Sequence, residues 1–389
     1  MPESWPKMSD AVKKLVGEAL KEIIESAKNG GQKVRVGLMA SGSEHGAEEI
    51  AKGARLALRT SANVLPVMIG PTITGYEDLE YIECEEKDIP ARLEEAVKSG
   101  EVAGAVAMHF PFPLGVTTIG RVLTPGRGKP MILASTTGTS STVRGEAMLR
   151  NVVYGIATAK ALGIENPTVG ILNVDTAQPV FRALTRMKEK GYCITFGESS
   201  RADGGSVLRG NDILTGAVDV CVTDTLTGNV LVKMFSSFTT GGSYEAAGWG
   251  YGPSCGEGWK YVVSIVSRAS GAPVIANALA FTAAVIQGGL AEKVADELKA
   301  AKKAGLDDEI SALTPKTSQA AEDIKAPPVE PTDDELHGID VLEIDNAVKV
   351  LWKAGIYAKS AMGCTGPVIK MPARHIEKAA EILKANGYL

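Results

Sequence analysis

From Val34 onward, short apolar runs of strand length alternate with longer stretches whose apolar residues recur at helical spacing. The first series runs Val34-Arg35-Val36-Gly37-Leu38-Met39, then residues 64–69, 103–108 and 130–134. A second series begins at Thr168-Val169-Gly170-Ile171-Leu172-Asn173 and continues through residues 193–196, 218–222 and 273–275. Strand text that keeps returning after helix text implies βαβ units, because parallel neighbours need a crossover of a dozen residues or more and a helix supplies it. The pattern predicts an α/β chain in two domains, with mainly parallel sheets and flanking helices, the two halves meeting near residues 160–168. A length of 389 residues suits that reading.

The predicted organisation has five parts. Residues 1–30 hold an amphipathic helix, with Val12, Leu15, Val16, Ala19, Leu20, Ile23, Ile24 and Ala27 on one face and Gly30-Gly31 as its stop. Residues 31–165 form the first α/β domain and residues 166–306 the second. Residues 307–340 carry Pro315, Pro327, Pro328 and Pro331 among many acids, and read as a linker or surface excursion. Residues 341–389 resume ordered text and are expected to pack back on the first domain.

Charge narrows the function. A net charge of −5 and a pI near 5.6, without a basic stripe, argue against nucleic acid as a partner. No run of eighteen apolar residues occurs and the N-terminus lacks a charged-then-apolar layout, so no membrane span and a cytoplasmic location are expected. Five cysteines without a Cys-x-x-Cys pair suit reduced thiols. His45, His109, His337 and His375 have no metal-like spacing, so no metal is expected.

Among the cysteines, Cys364 stands apart. It lies in Ala361-Met362-Gly363-Cys364-Thr365-Gly366-Pro367, where glycines and a proline demand a turn and leave the sulfur approachable. Cys193 and Cys221 lie in strand-like text, Cys84 among glutamates and Cys255 in a glycine-rich loop, so only Cys364 and Cys255 read as reachable. Local sequence leaves Cys364 open between a reactive thiol and an incidental loop thiol.

Two loops at strand ends gather polar groups. Ser135-Thr136-Thr137-Gly138-Thr139-Ser140-Ser141-Thr142-Val143-Arg144 follows an apolar run and precedes helical text, which sets hydroxyls, backbone N–H groups and a guanidinium at a helix start. That arrangement suits phosphate, with Thr137, Gly138, Thr139, Ser140, Ser141 and Arg144 as the candidates; a plain connecting loop is the alternative. Asp224-Thr225-Leu226-Thr227-Gly228-Asn229 leads into a helix bearing Lys233, so Asn229 and Lys233 are candidate substrate-binding groups, or simply parts of a capped helix. Neither a Walker loop nor a dinucleotide fingerprint is present. Gly252-Pro253-Ser254-Cys255-Gly256 has the spacing of a nucleophile elbow, but the glycine-rich text before it reads as a flexible loop and not a strand. His109 opens a rigid Phe110-Pro111-Phe112-Pro113 loop; a lone histidine there is more often structural.

Taken together, Val169-Gly170-Ile171-Leu172-Asn173 and residues 223–233 resemble the acyl-carrier-protein:phosphate acyltransferases of phospholipid synthesis, whose matching stretch reads much like Asp-Gly-Phe-Thr-Gly-Asn-Val with a lysine shortly after. Across nearly the whole length, including residues 137–146 and 361–367, the chain resembles the alpha subunits of component C of the glycine/sarcosine/betaine reductase complex. That resemblance implies a fold like phosphotransacetylases and isopropylmalate dehydrogenases. It also implies that Cys364 carries an acetyl thioester, that acetyl comes from selenoprotein A, that a thiolase-like beta subunit is a partner, and that acetyl phosphate is released. Inorganic phosphate is then a co-substrate and no cofactor is expected. Where the phospholipid enzymes carry Met-Gly-Gly-Asp and a final His-Gly-Ser-Ser, this chain departs, with Ala40-Ser41-Gly42-Ser43 at the first; the departures argue against a fatty-acyl substrate. The rival expectations are a free-standing acyltransferase using acyl carrier protein or coenzyme A, and a noncatalytic scaffold subunit.

Overall fold

The computed structural model describes residues 33–200, 204–314, 324–339, 343–363 and 366–389. The helix predicted within residues 1–30 lies outside them.

In chain order the first elements are β1 (Val34–Met39), α1 (Ala47–Thr60), β2 (Val64–Ile69), β3 (Glu80–Ile82), α2 (Ile89–Ser99) and β4 (Gly104–Ala107). Next come β5 (Val116–Leu123), β6 (Pro130–Gly138), α3 (Arg144–Ala161), β7 (Thr168–Leu172), α4 (Ala177–Glu189), β8 (Thr195–Phe196), β9 (Val207–Leu208), α5 (Gly210–Thr215), β10 (Val220–Val222) and α6 (Thr225–Ser237). The large unit closes with β11 (Gly252–Gly256), β12 (Val263–Ile265), α7 (Ala272–Gln287), α8 (Leu290–Lys303) and α9 (Leu306–Leu313). Punctuation matches the chemistry: α2 has a proline in its first turn and ends on Gly100 in the left-handed conformation. The run Val-Leu-Pro-Val-Met-Ile of β2 is almost wholly buried, as a strand covered on both faces must be.

Among the described residues the large sheet has twelve strands in the order β3-β2-β1-β4-β12-β11-β5-β6-β10-β7-β8, with β9 also on β7. Pairing is parallel from β3 to β12 and from β6 to β8, while β11 and β5 join the halves in antiparallel fashion. The chain is therefore α/β with a mainly parallel sheet. On one face of the first half, α1 and α7 bury Ile50, Ala54, Ile275 and Leu279 against Val36 and Leu38. In the second half α3, buried on nearly all sides, lies between β6, β10 and α8. Each fully buried Leu or Ile is worth about 1.5–3 kcal/mol over exposure, so these layers dominate the stability of the sheet.

The passage from one half to the other falls at residues 108–115, between β4 and β5, whereas the sequence placed it near 160–168. Strands β6 and β7, from either side of residue 165, share β10 as a neighbour, and β12 with α7 returns late to complete the first half. Alternation along a chain does not carry strand order, so this return was not visible.

The stretch predicted as a linker is partly regular. Residues 306–313 form α9, whose Glu309 is buried and takes Arg186 Nε at 3.0 and 3.1 Å. Strand β13 (Asp334–Leu336) then joins a separate antiparallel sheet, β13-β15-β14, with α10 (Ile344–Lys353), β14 (Lys359–Gly363), β15 (Gly366–Met371) and α11 (Ile376–Ala385). This unit has its own core of Ile344, Leu351, Ile369, Met371 and Leu383. It meets the large sheet where Met362 N donates to Phe112 O at 3.2 Å and Ala361 bridges Pro113.

Candidate active site

At the carboxyl ends of β4, β6 and β12, where open parallel sheets leave a crevice, lies a cavity of about 450 Å3. Thr137 and Gly138 enter it from the end of β6, Asn229 and Lys233 from α6, Ser267 and Arg268 from the turn after β12, His109 from the loop after β4, and Met362 and Gly363 from β14. Four of the residues singled out in the sequence thus meet in one place.

Close backbone approach brings them there. A Cβ on Gly228 would overlap the carbonyl of Ser135, so only glycine lets the first turn of α6 rest on β6. Asp224 caps that helix, its carboxylate accepting from Thr227 N at 3.1 Å and Thr227 Oγ1 at 2.6 Å. Asn229 Nδ2 then donates to Thr136 O at 3.1 Å, leaving its other amide proton and its carbonyl oxygen for a ligand. One turn on, Lys233 Nζ donates to Ser267 Oγ at 3.2 Å and lies 3.7 Å from Glu245 Oε1, a carboxylate only 4% exposed that also accepts from Ser270 Oγ. Gly138 has a φ of +73°, and a Cβ there would stand 2.5 Å from Val116 O.

Beneath the site a buried amide ties the strand ends together. Asn151 of α3 accepts from Ser140 Oγ at 2.8 Å and donates to Ser135 Oγ at 3.3 Å and Thr223 O at 3.4 Å. Ser135 Oγ in turn meets Thr225 Oγ1 at 2.8 Å, which links β6, α3, β10 and α6.

The hydroxyl-rich loop is divided. Thr139 continues the pairing with β5 through Val116 O, and Ser140 turns inward to Asn151. Ser141 accepts from Val143 N and donates to Glu146, and with Ser140 and Thr142 it lines a second cavity of about 480 Å3 beside Arg150, Tyr154 and Trp259. Arg144 lines neither cavity; it is half exposed and pairs with Asp175 at 3.1 Å. The strand continues to Gly138, and its left-handed turn sends the next hydroxyls to the other side.

Cys364 lies outside the described residues, while Gly363 before it lines the first cavity. Two other cysteines differ from their sequence reading. Cys255 is buried, with burial pushing its thiol up to about 12, and Cys193 is exposed. The glycine-rich loop that the sequence assigned to Cys255 is strand β11, while residues 246–251 before it are turns and bends, as expected of them; Ser254 Oγ in β11 accepts from Trp259 Nε1 and Val263 N and donates to Tyr261 O. Cys221, on β10, is buried and likewise raised to about 12.

Sequence reasoning passed over Ser267 and Arg268, although they follow the apolar run 262–266 and so sit at a strand's carboxyl end. It named His109 only as a loop residue. Burial, and then the positive charge of Arg268, hold its imidazole below the ordinary range. Burial, helped by Glu245, pushes the Tyr251 phenol in the same cavity far above its usual value. Lys233 and Arg268, with Asn229, Thr137 and Ser267, therefore offer cations and donors to an anion in a part-enclosed space.

Residues 34–370 match the family described as fatty acid synthesis protein. The chain belongs to that family. It is 50% identical over 385 residues to the glycine/sarcosine/betaine reductase complex component C subunit alpha of Peptoclostridium acidaminophilum, covering 98% of this chain and 99% of that one. A phosphate acyltransferase of Azorhizobium caulinodans is 25% identical over 240 residues, covering 51% of this chain and 67% of that one. A crystal structure of a branched-chain phosphotransacylase from Enterococcus faecalis V583 aligns with a TM-score of 0.47 and 16% identity over 64% of this chain and 99% of that one. Among the described residues no single helix is long and apolar enough to cross a membrane.

Proposed function

We propose that this chain is the acyltransferase subunit of a glycine/sarcosine/betaine reductase complex, receiving an acetyl group from selenoprotein A as a Cys364 thioester and releasing it to inorganic phosphate as acetyl phosphate. The observation that carries the reading is the meeting of Lys233, Arg268, Asn229 and Thr137 with Gly363, the neighbour of Cys364, around one cavity. A thiolate is both a strong nucleophile and a good leaving group, so a covalent intermediate divides one hard transfer into two easier ones. Lys233 and Arg268 neutralise the phosphate, Asn229 orients it, and donors around the carbonyl stabilise each tetrahedral oxyanion. Phosphate is a substrate here and no further cofactor is needed.

A thiolase-like beta subunit as partner and a cytoplasmic location belong to this reading, and one surface feature suits assembly with a protein partner. On α6 and just beyond it, Leu226, Val230, Met234 and Phe238 recur every four residues and are exposed, Leu226 by 75% and Phe238 by 70%. Such a stripe beside the cavity suits a protein partner. The 25% identity to a phosphate acyltransferase keeps one second reading, a free-standing acyltransferase that needs no cysteine. Intact-mass spectrometry of the chain after incubation with acetyl phosphate decides between them. The proposed function requires one acetyl group on Cys364 that is absent from Cys364→Ser, together with loss of phosphate-dependent turnover. Turnover that survives Cys364→Ser removes the thioester.

A further inference from the structure

Asn229 and Lys233 stand four residues apart on α6, hence on one face of the helix, and both line the first cavity. The Asn229 amide is locked in one orientation. Its Nδ2 donates to Thr136 O at 3.1 Å, and a main-chain carbonyl can only accept, so the nitrogen end is held against β6 and Oδ1 is turned from it. Among the described residues no group donates to Oδ1, and the side chain is half-buried. One turn on, Lys233 Nζ gives a proton to Ser267 Oγ at 3.2 Å and lies 3.7 Å from Glu245 Oε1, which leaves a third N–H for an anion. The face of α6 therefore sets a cation and a bare acceptor side by side.

Acceptors are scarce around the rest of the cavity. Lys233 and Arg268 only donate, and Ser267 Oγ already accepts from Lys233 Nζ and from Ala269 N at 3.1 Å, which uses both its lone pairs. The Glu44 carboxylate is exposed at the rim, its main-chain nitrogen bound to Arg268 O at 2.9 Å. A neutral His109 offers one ring nitrogen, but which one depends on its tautomer. Asn229 Oδ1 is the acceptor whose direction a backbone carbonyl fixes, and it stands next to the lysine.

We propose that Asn229 is the residue that selects the anion of this cavity, its Oδ1 accepting the proton of hydrogen phosphate and so refusing sulfate; this rests on the phosphate reading above. An anion held by Lys233 turns a second oxygen toward Oδ1. If that oxygen carries a proton the two form a hydrogen bond, and if it is bare two oxygens with unshared pairs face each other. Hydrogen phosphate and hydrogen arsenate keep a proton at neutral pH, whereas sulfate has none to give. The two classes have nearly the same size and tetrahedral shape, so the proton is the feature a rigid acceptor can read. A site built to pair with a substrate O–H rejects the analogue that lacks it, because its own polar group is then left unpaired. Neither the geometry nor the selection involves the thiol.

The test is isothermal titration calorimetry of the full chain with inorganic phosphate, arsenate and sulfate, at neutral pH and constant ionic strength. Phosphate and arsenate should bind the wild-type chain about 10- to 100-fold more tightly than sulfate. Asn229→Ala should bring that ratio close to unity by weakening phosphate and arsenate, with far-ultraviolet dichroism unchanged. Glu44→Ala and His109→Ala, which delete the other acceptors, should keep the preference. Asn229→Asp retains an acceptor and adds a negative charge, so all three anions should weaken while the preference survives, which loss of a merely structural contact would not produce. A preference intact in Asn229→Ala, or lost in Glu44→Ala or His109→Ala instead, overturns the proposal. Should Asn229→Ala misfold, Asn229→Asp decides, and a preference lost there overturns it too. A wild-type chain that binds phosphate and sulfate alike refutes this assignment alone, whereas one that binds neither refutes the phosphate reading and the assignment with it.

Discussion

Met362 and Phe112 share one backbone hydrogen bond, Met362 N to Phe112 O at 3.2 Å, and it couples the C-terminal unit to the rim of the cavity. In the β14–β15 ladder Met362 stands opposite Pro367, and its N–H points away to the large sheet. Met362→Pro removes this donor at an edge position that tolerates proline. The loss should cost about 0.5–1.5 kcal/mol by thermal unfolding, while phosphate–acetyl phosphate exchange falls much further. Exchange that tracks stability alone would disconnect the docking contact from the site.

Lys233 is the cation most firmly placed in the cavity, between Ser267 and Glu245. Replacing it by methionine keeps the length of the stem and removes the charge. A charge-assisted hydrogen bond is worth about 1.5–3 kcal/mol, so the KM for phosphate should rise roughly 10- to 100-fold. Steady-state kinetics with phosphate varied will measure this, and an unchanged KM would take Lys233 out of phosphate binding.

Gly228 answers a different question, whether α6 must touch β6. Gly228→Ala forces the helix start off the Ser135 carbonyl and moves Asn229 from Thr136. Overpacking of this kind costs about 1–3 kcal/mol, and exchange activity should fall with it. Chemical denaturation together with exchange assays checks both, and a fully stable, fully active variant would show that the helix start can shift freely.

Asp219 sits at the amino end of β10, away from the cavity. Burial disfavours its charge, but hydrogen bonds from Thr168 N at 3.0 Å and Thr168 Oγ1 at 2.7 Å, with Lys129 at 3.4 Å, outweigh it and hold the carboxyl below the ordinary 3.8. A depressed carboxyl stabilises the fold fully above its unfolded value, and the contribution is lost as pH falls through the lower folded value. Asp219→Asn should therefore lower the melting temperature at neutral pH, with the gap closing below about pH 4. Melting curves across that range are the measurement, and a gap independent of pH would refute the linkage.

The apolar stripe of α6 gives the prediction about assembly. Met234 and Phe238 are exposed by 60% and 70%, so Met234→Lys and Phe238→Glu together should change the unfolding free energy of the isolated chain by no more than about 0.5 kcal/mol each. Association with the other complex components, followed by analytical ultracentrifugation, should weaken at least tenfold. Equal association by the double variant would place the partner surface elsewhere.

What the sequence determined by itself was local. Apolar runs and their spacing made β1, β2, β6, β7 and β10 legible as strands of an α/β chain, and Asp224-Thr225-Leu226-Thr227-Gly228-Asn229 made a capped helix bearing Asn229 and Lys233 legible at a strand end. Those signals survive because they come from neighbours within a turn or a strand. Tertiary structure decided the rest. The return of β12 to β4 delivered Ser267 and Arg268, β11 proved to be a buried strand despite its glycines, and the hydroxyl loop split between two cavities at Gly138. His109 gained its setting only when β13, β15 and the turn after β12 brought Glu335, Lys370 and Arg268 around it. Strand order, burial and the sum of distant charges depend on which segments meet in space, and that is a property of the folded chain as a whole.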